Sequence, residues 1–533
     1  MQPGSLPPAT IRCDVKRSWI MRRIFALLLL ALPIAAPGQT TGEIDSVTMN
    51  GPTVALSWTP DAATAYRVER AQDLTNTAWS SLLTLWPNGT NGAFRESVSN
   101  STVFYRLVSL TNKLAGGERM ITFVPHPAGG NMVVEIVTPR FPRYTNSAGV
   151  VLTVSTWIIG NDNFTGDAAF EDVGLLHLRH LFPGNSDSVG VRSDGEIDYG
   201  GTNSIAGLAA VVRFALGMTP DLNGHYLHDL VEVEPLYNNV GLNTFSHPGI
   251  AAANVLATHG ATFSNRVAYL IGGENPTCPA LVTKEAGSSD TGAGIVSNRA
   301  YAYPAGYATN RLLIDYDLVR WTTNFAGEQS AYFDINSNGV ADAGSDYLMG
   351  QGIPSLGGKR YYSPELCRAL TNNGIFTLAT WPTNFANPLE SETFWSIRNA
   401  PDRYAQVGAA CTNLKVLLHF AYEDHSQGAA DKPHVHQAYD GYRTAGLWTR
   451  LNPDRAYANS LSSSFGAVSP DNAANTQPAD WNTALSWSYT NTSFAAAYYY
   501  AVLTCAAEMS DRTWVTNWSP NLAVPLVVYT NGP

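Results

Sequence analysis

Apolar positions along this chain follow two rhythms. Between residues 43 and 112 they alternate with polar ones in short runs, at 47–49, 53–58, 65–70, 79–85 and 103–108. Turn signals such as Asn50-Gly51-Pro52, Pro60-Asp61 and Asn91-Gly92 separate the runs. A period of two with frequent turns predicts a small all-β sandwich, with Trp58, Tyr66, Trp79 and Tyr105 as core aromatics. From about 115 the pattern changes. Continuous apolar runs at 131–138, 149–160 and 266–272 read as buried strands, and 173–181 passes from helix to strand. Ile205, Leu208, Ala209, Val212 and Leu216 share one helical face within 203–216, with Asn203 or Ser204 as cap. Strands alternating with helices predict an α/β domain with a mainly parallel sheet covered on both faces. The rhythm is lost over about 280–405, which is rich in aromatics and turns. It returns with a strand at 415–421, a helix at 433–445, a strand at 447–451 and a closing helix at 492–509.

The segment 239–260, NVGLNTFSHPGIAAANVLATHG, is the centre of this second part. Apolar residues around Val240 and Leu242 make a short strand, Ser246 follows, and the alanine-rich 250–259 has helical propensity and closes at Gly260, a natural residue C′. Pro248 suits the first turn of a helix. One reading makes Ser246 an ordinary N-cap. The other makes it a nucleophile, lifted on a strand–turn–helix bend whose helix N-terminus favours an oxyanion.

This bend resembles the nucleophile elbow of the α/β-hydrolase superfamily, with Thr244 and Pro248 at the positions of the two usual glycines and Gly249 one place late. The resemblance implies an α/β-hydrolase-like domain over 115–533, with 280–405 as a cap insertion that shapes the substrate pocket or only scaffolds the domain. It implies Ser246 as nucleophile, Asp424 just past the penultimate strand as the acid, and backbone N–H groups of His247 and of Ile159 or Gly160 as the oxyanion hole. The superfamily's histidine follows the last strand, near 452–459, but His436 is the last histidine in this chain. His425 is the substitute the sequence offers; because Asp424 is adjacent to it in sequence, its own acid partner would more easily be Asp431 or Glu274, and His434 and His436 stand nearby. Each of these histidines also has a structural reading. The His247 side chain is expected to point away from the base position. The run LSWTP … YRVERAQDL … FYRLVSL within 43–112 resembles the fibronectin type III-like accessory domains of secreted bacterial enzymes.

Composition narrows the function. A net charge of −11 argues against nucleic acid or an anionic membrane as partner. Met21-Arg22-Arg23 and the apolar 24–36 (IFALLLLALPIAA) form a signal peptide ending near 36–38, with Met21 a plausible true start. The apolar run is too short to span a bilayer, so the mature chain is expected to be secreted or periplasmic without a membrane anchor; an N-terminal anchor is the alternative. An oxidising compartment leaves Cys278, Cys367, Cys411 and Cys505 three possible disulfide pairings. Asp334, Asn336, Asn338, Gly339 and Asp342 match the first part of a calcium loop, with Ser345 at position twelve and Asp346 next, and imply a structural Ca²⁺. Asp221-Leu222-Asn223-Gly224 is a shorter echo that reads as a turn. Zinc clusters, phosphate loops and dinucleotide fingerprints are absent from the sequence. Two functions follow: a hydrolase of small or polymeric carboxylic esters through an acyl-enzyme on Ser246, or a catalytically silent hydrolase-fold protein that binds a ligand or polymer in the same cleft.

Overall fold

The structure, a computed structural model, describes residues 10–11, 41–61, 64–72, 79–87, 92–98, 103–110, 113–156, 164, 168–288, 296–302, 312–325, 328–350, 355–419, 427, 432–451 and 494–511. The apolar segment 24–36, Gly160, Asp424, His425 and Asp431 lie outside them.

Eight strands carry the second rhythm: β1 (Arg119–Pro125), β2 (Asn131–Val137), β3 (Ser147–Thr153), β4 (Leu176–His180), β5 (Glu234–Phe245), β6 (Val267–Gly273), β7 (Lys415–His419) and β8 (Trp448–Leu451). Their spatial order is β1-β2-β4-β3-β5-β6-β7-β8. Strand β2 runs antiparallel to β1 and β4, and every later pair is parallel. Neighbouring strand residues point to opposite faces, and here both faces are buried, which is why the strands read as nearly unbroken apolar runs. On one face Val150, Leu152, Val240, Leu242, Leu270 and Val416 pack with the helices Thr202–Ala215, Pro248–His259 and Pro433–Thr444. On the other, Val151, Tyr269, Ile271 and Leu417 pack with Val502, Cys505 and Met509 of the helix Phe494–Asp511. Two buried ion pairs fasten that last helix, Arg143–Asp511 from the loop before β3 and Arg450–Glu508 from β8. Among the described residues no helix is long and apolar enough to cross a membrane.

The strands of the first rhythm divide between two sheets. Ser46–Asn50, Thr53–Trp58 and Gly92–Ser97 pair with one another, with the short strand Thr10–Ile11 on their edge. Thr41–Gly42, Phe104–Leu110, Ala65–Ala71 and Ser80–Leu85 instead continue the main sheet to twelve strands. The junction is a parallel pairing of Leu85 with Ile121 of β1, and the Trp86 N–H donates to the Ile121 carbonyl at 2.8 Å. Val54, Leu56, Trp58 and Phe94 from one sheet share a core with Tyr66, Val68 and Leu107 from the other, and with Ile121, Phe123 and Val133 of β1 and β2. Trp79 is not part of this core: it is half-buried under the Arg106 guanidinium, 4.5 Å from its ring centre.

Within 280–405, a hairpin of Val319–Phe325 and Glu328–Phe333 packs on the helix Pro364–Asn372 around Val319, Phe333, Tyr362, Leu366 and Phe385. The helix Tyr404–Ala410 lies against the helix that follows Ser246, where the Arg403 Nε donates to Asn254 Oδ1 at 2.9 Å. The disulfide expectation fails among the described residues. Cys278, Cys367, Cys411 and Cys505 form no disulfide with one another, and burial pushes Cys278 and Cys367 up to about 12 and Cys411 up to about 11.

Two helix ends also differ from expectation. The helix Thr202–Ala215 begins after Gly201 and is closed by the Asp198 carboxylate, which accepts N–H bonds from Gly201, Asn203 and Ser204, so neither Asn203 nor Ser204 is its cap. Gly260 is not a left-handed C′ residue. Its φ is −53° and it continues into the 3₁₀ turn Gly260–Phe263, which Ser264 ends at φ 54°. Glycine is needed there for space, since a Cβ would stand 2.4 Å from Cys411 Sγ.

Candidate active site

Strand β5 lies inside the sheet between β3 and β6 and ends at Phe245; the helix Pro248–His259 begins two residues after Ser246. Ser246 makes the bend with φ 62°, a left-handed conformation that costs an L-residue about 1–2 kcal/mol. Its N–H donates to the Gly273 carbonyl at the end of β6 at 2.8 Å, and its side chain is half-buried. Carboxyl ends of central parallel strands are where open α/β sheets place their sites, and a non-glycine residue held left-handed at such an end is a strained position of the kind active sites retain.

The bend tolerates Thr244 and Pro248 because another residue braces it. Asn275 donates through Nδ2 to the carbonyls of Ser246 and Gly273, at 2.5 and 3.1 Å, and accepts from Thr244 Oγ1 at 3.1 Å. Thr244 Oγ1 also donates to the Ile271 carbonyl at 3.0 Å, tying the last turn of β5 to β6. Room for this amide comes from Gly249 and Gly272, where a Cβ would lie 2.4 Å and 2.6 Å from Asn275 atoms. Small residues thus flank the amide here, at Gly249 and Gly272, and not the serine. Sequence reading missed Asn275, whose only local signal is the turn Gly273-Glu274-Asn275-Pro276.

The structure corrects the expectation for His247. Its imidazole turns toward the serine, with Nδ1 at 3.2 Å from Ser246 Oγ, while Nε2 lies 2.7 Å from Thr156 Oγ1. Thr156 stands on the loop after β3, and that loop is pinned on two sides. The Val154 N–H donates to the Asn243 carbonyl of β5 at 2.9 Å, and Ser155 Oγ donates to the His180 carbonyl at the end of β4. His180 Nε2 accepts from the Ser155 N–H at 3.3 Å, and burial lowers this imidazole to about 3, so it is a neutral structural group. Gly160, four residues past Thr156, is outside the described residues.

Across the sheet edge Phe245, Gly273 and His419 stand in one register row on β5, β6 and β7. Ser246 and Glu274 are each one residue beyond that row. Glu274 is buried with φ 48°, and its N–H donates to the His419 carbonyl at 3.1 Å. Strand β7 ends at His419, one strand from Gly273, and Asp424 and His425 lie outside the described residues. His434 and His436 are buried at the start of the helix Pro433–Thr444, and burial, with His434 alongside, lowers His436 to about 3.

The acidic loop closes on its own backbone. The Asp334 carboxylate accepts N–H bonds from Asn338 and Gly339, and that of Asp346 accepts from Ile335 and Asp342, all between 2.9 and 3.1 Å. The side-chain oxygens of Asn336, Asn338 and Asp342 accept from Asn338, Val340 and Gly344. Among the described residues no group of three or more His, Cys, Asp or Glu is disposed to hold a metal ion. Asp221 is a buried turn residue, whose carboxylate accepts from the Asn223 and His225 N–H groups and from Thr122 Oγ1. A concavity of about 540 Å³ lies between the insertion and the start of the helix Thr202–Ala215, lined by Asp198, Thr202, Tyr361, Phe394 and Arg398 among others. Ser246 does not line it.

No protein-family model matches this chain, and no curated protein does. Solved structures match remotely. A thermostable esterase from Pseudomonas putida ECU1011 is 12% identical, over 76% of this chain and 86% of its own, with a TM-score of 0.32. The esterase domain of a Rhodothermus marinus protein is 13% identical over 63% and 87%, at 0.25, and a prolyl endopeptidase is 12% identical over 46% and 37%, at 0.24. The chain thus spans just over a third of that endopeptidase. Likenesses this remote carry no argument about activity.

Proposed function

We propose that this protein is a serine hydrolase of carboxylic esters, small or polymeric, that forms an acyl-enzyme on Ser246. One observation carries the reading: a serine held at φ 62° on the bend between a central parallel strand and a helix N-terminus, with an imidazole nitrogen 3.2 Å from its hydroxyl. A serine hydroxyl needs a base to become a nucleophile, and developing negative charge needs aimed N–H donors. The His247 N–H and the loop through Gly160 are the proposed donors. Asp424 and His425, outside the described residues, are the acid and the alternative histidine that the sequence offers for the same site. The fibronectin type III-like reading of the N-terminal strands, and export through 24–36, belong to the same proposal.

Labelling with a fluorophosphonate tests it. The expected result is a covalent adduct on Ser246 that Ser246→Ala abolishes. An intact, folded protein that takes no adduct is instead the ligand-binding relative, a reading favoured by the absence of any histidine after His436. A structural Ca²⁺ at 334–346 is a second, separate proposal, in which Asp334 and Asp346 use the lone pairs not engaged by backbone N–H groups. Calcium added to chelator-treated protein is expected to raise the melting temperature; an unchanged value removes the ion from the account.

A further inference from the structure

We infer that the imidazole of His247 is the general base for Ser246, and that the Thr156 hydroxyl is the positioning residue that holds it in the working tautomer. This rests on the serine-hydrolase reading and names the proton acceptor within it. Among the described residues, the hydrogen-bond partner of Ser246 Oγ is His247 Nδ1, at 3.2 Å. The other ring nitrogen meets Thr156 Oγ1 at 2.7 Å. With Nε2 protonated and donating to Thr156, the Nδ1 lone pair faces the serine hydroxyl. Thr156 then does for the ring what a carboxylate does in a Ser–His–Asp triad: it selects the tautomer and fixes the ring plane.

A histidine adjacent in sequence can reach the nucleophile because the chain reverses at Ser246, where φ is 62°. Thr156 is held ready because Val154 and Ser155 are fastened to β5 and β4. The proton accounting closes on these groups. As Ser246 Oγ attacks the ester carbonyl carbon, its proton passes to His247 Nδ1. The tetrahedral adduct collapses, the bond to the alkoxy oxygen breaks, and that oxygen leaves as an alcohol carrying the proton from Nδ1. Water then attacks the acyl-enzyme, gives a proton to Nδ1, and the carboxylic acid departs as that proton returns to Ser246 Oγ.

The test uses the full-length protein with p-nitrophenyl acetate and the fluorophosphonate probe. His247→Gln is expected to lower both kcat and the labelling rate roughly 100- to 10,000-fold, the usual contribution of a general base, at an unchanged melting temperature. Thr156→Val probes the same pair without touching the bend. It is expected to lower kcat at constant KM and to move the acidic limb of the pH–rate profile, with both restored in Thr156→Ser. A His247 variant that fails to fold leaves the decision to this second series. Wild-type kcat and pH profile in a folded His247→Gln, or in Thr156→Val, would overturn the assignment and leave the Ser246 adduct standing. Wild-type protein that neither turns over nor labels removes the hydrolase reading and the base together.

Discussion

Ser246 keeps a backbone conformation that its own Cβ resists, and the resistance can be measured. Ser246→Ala and Ser246→Gly both lose the hydroxyl, but only glycine is free of the penalty at φ 62°. The glycine variant is expected to be more stable than the alanine one by about 1 kcal/mol, read from urea unfolding. Equal stabilities would mean that the bend is unstrained. The serine itself was legible in the sequence, because a short apolar strand, a turn and an alanine-rich helix succeed one another there. Asn275 was not, since its function is set by a neighbouring strand and no local pattern encodes it. The direction of His247 is hidden from the sequence for a related reason. Which way two adjacent side chains diverge depends on the sign of φ at Ser246, and residue identity does not state that sign: Ser246 has φ 62° and Gly260 φ −53°.

At the scale of elements, burial marked strand interiors well and strand ends poorly. Strand β5 spans twelve residues, although only the apolar stretch around Val240 and Leu242 announced it. Its polar first half is held by pairing, with Ser147 opposite Glu234 and a register shift at Gly149/Val150. The run expected over 149–160 likewise ends as a strand at Thr153, where the loop bearing Thr156 begins. Gly260 shows how a correct residue can be given the wrong reason. It is glycine because the helix Tyr404–Ala410 ends against it with Cys411, a contact from 151 positions away that no helix-end rule contains. Gly260→Ala is therefore expected to destabilise the protein by about 1–3 kcal/mol. Adding Cys411→Ala should return part of that loss, and strict additivity of the two substitutions would reject the contact.

The whole molecule is tied together by a sheet that does not stop at the boundary between its two sequence rhythms. The alternation over 43–112 foretold the short strands, except Gly92–Ser97, but not that half of them would extend the α/β sheet past Leu85. Pairing partners across such a junction are tertiary information. A chain beginning at residue 113 would uncover Ile121, Phe123, Val133, Leu181 and Val191, all buried in the intact protein, and would leave β1 as an open edge. Such a truncation is expected to aggregate, whereas a monodisperse, folded product on size exclusion would show that the α/β part stands alone.

Buried cysteines outside any mutual disulfide have a consequence for how long the protein survives once it opens. While folded, Cys367, Cys411 and Cys505 are shut away from oxidants and from one another, and the raised thiols of Cys367 and Cys411 hold little thiolate. Unfolding in air removes both protections at once and lets wrong crosslinks form faster than the chain can return. Heat inactivation should thus be a one-way process without a reductant and a partly recoverable one with it, so that shelf life is governed by the rate of opening and by the redox state of the buffer.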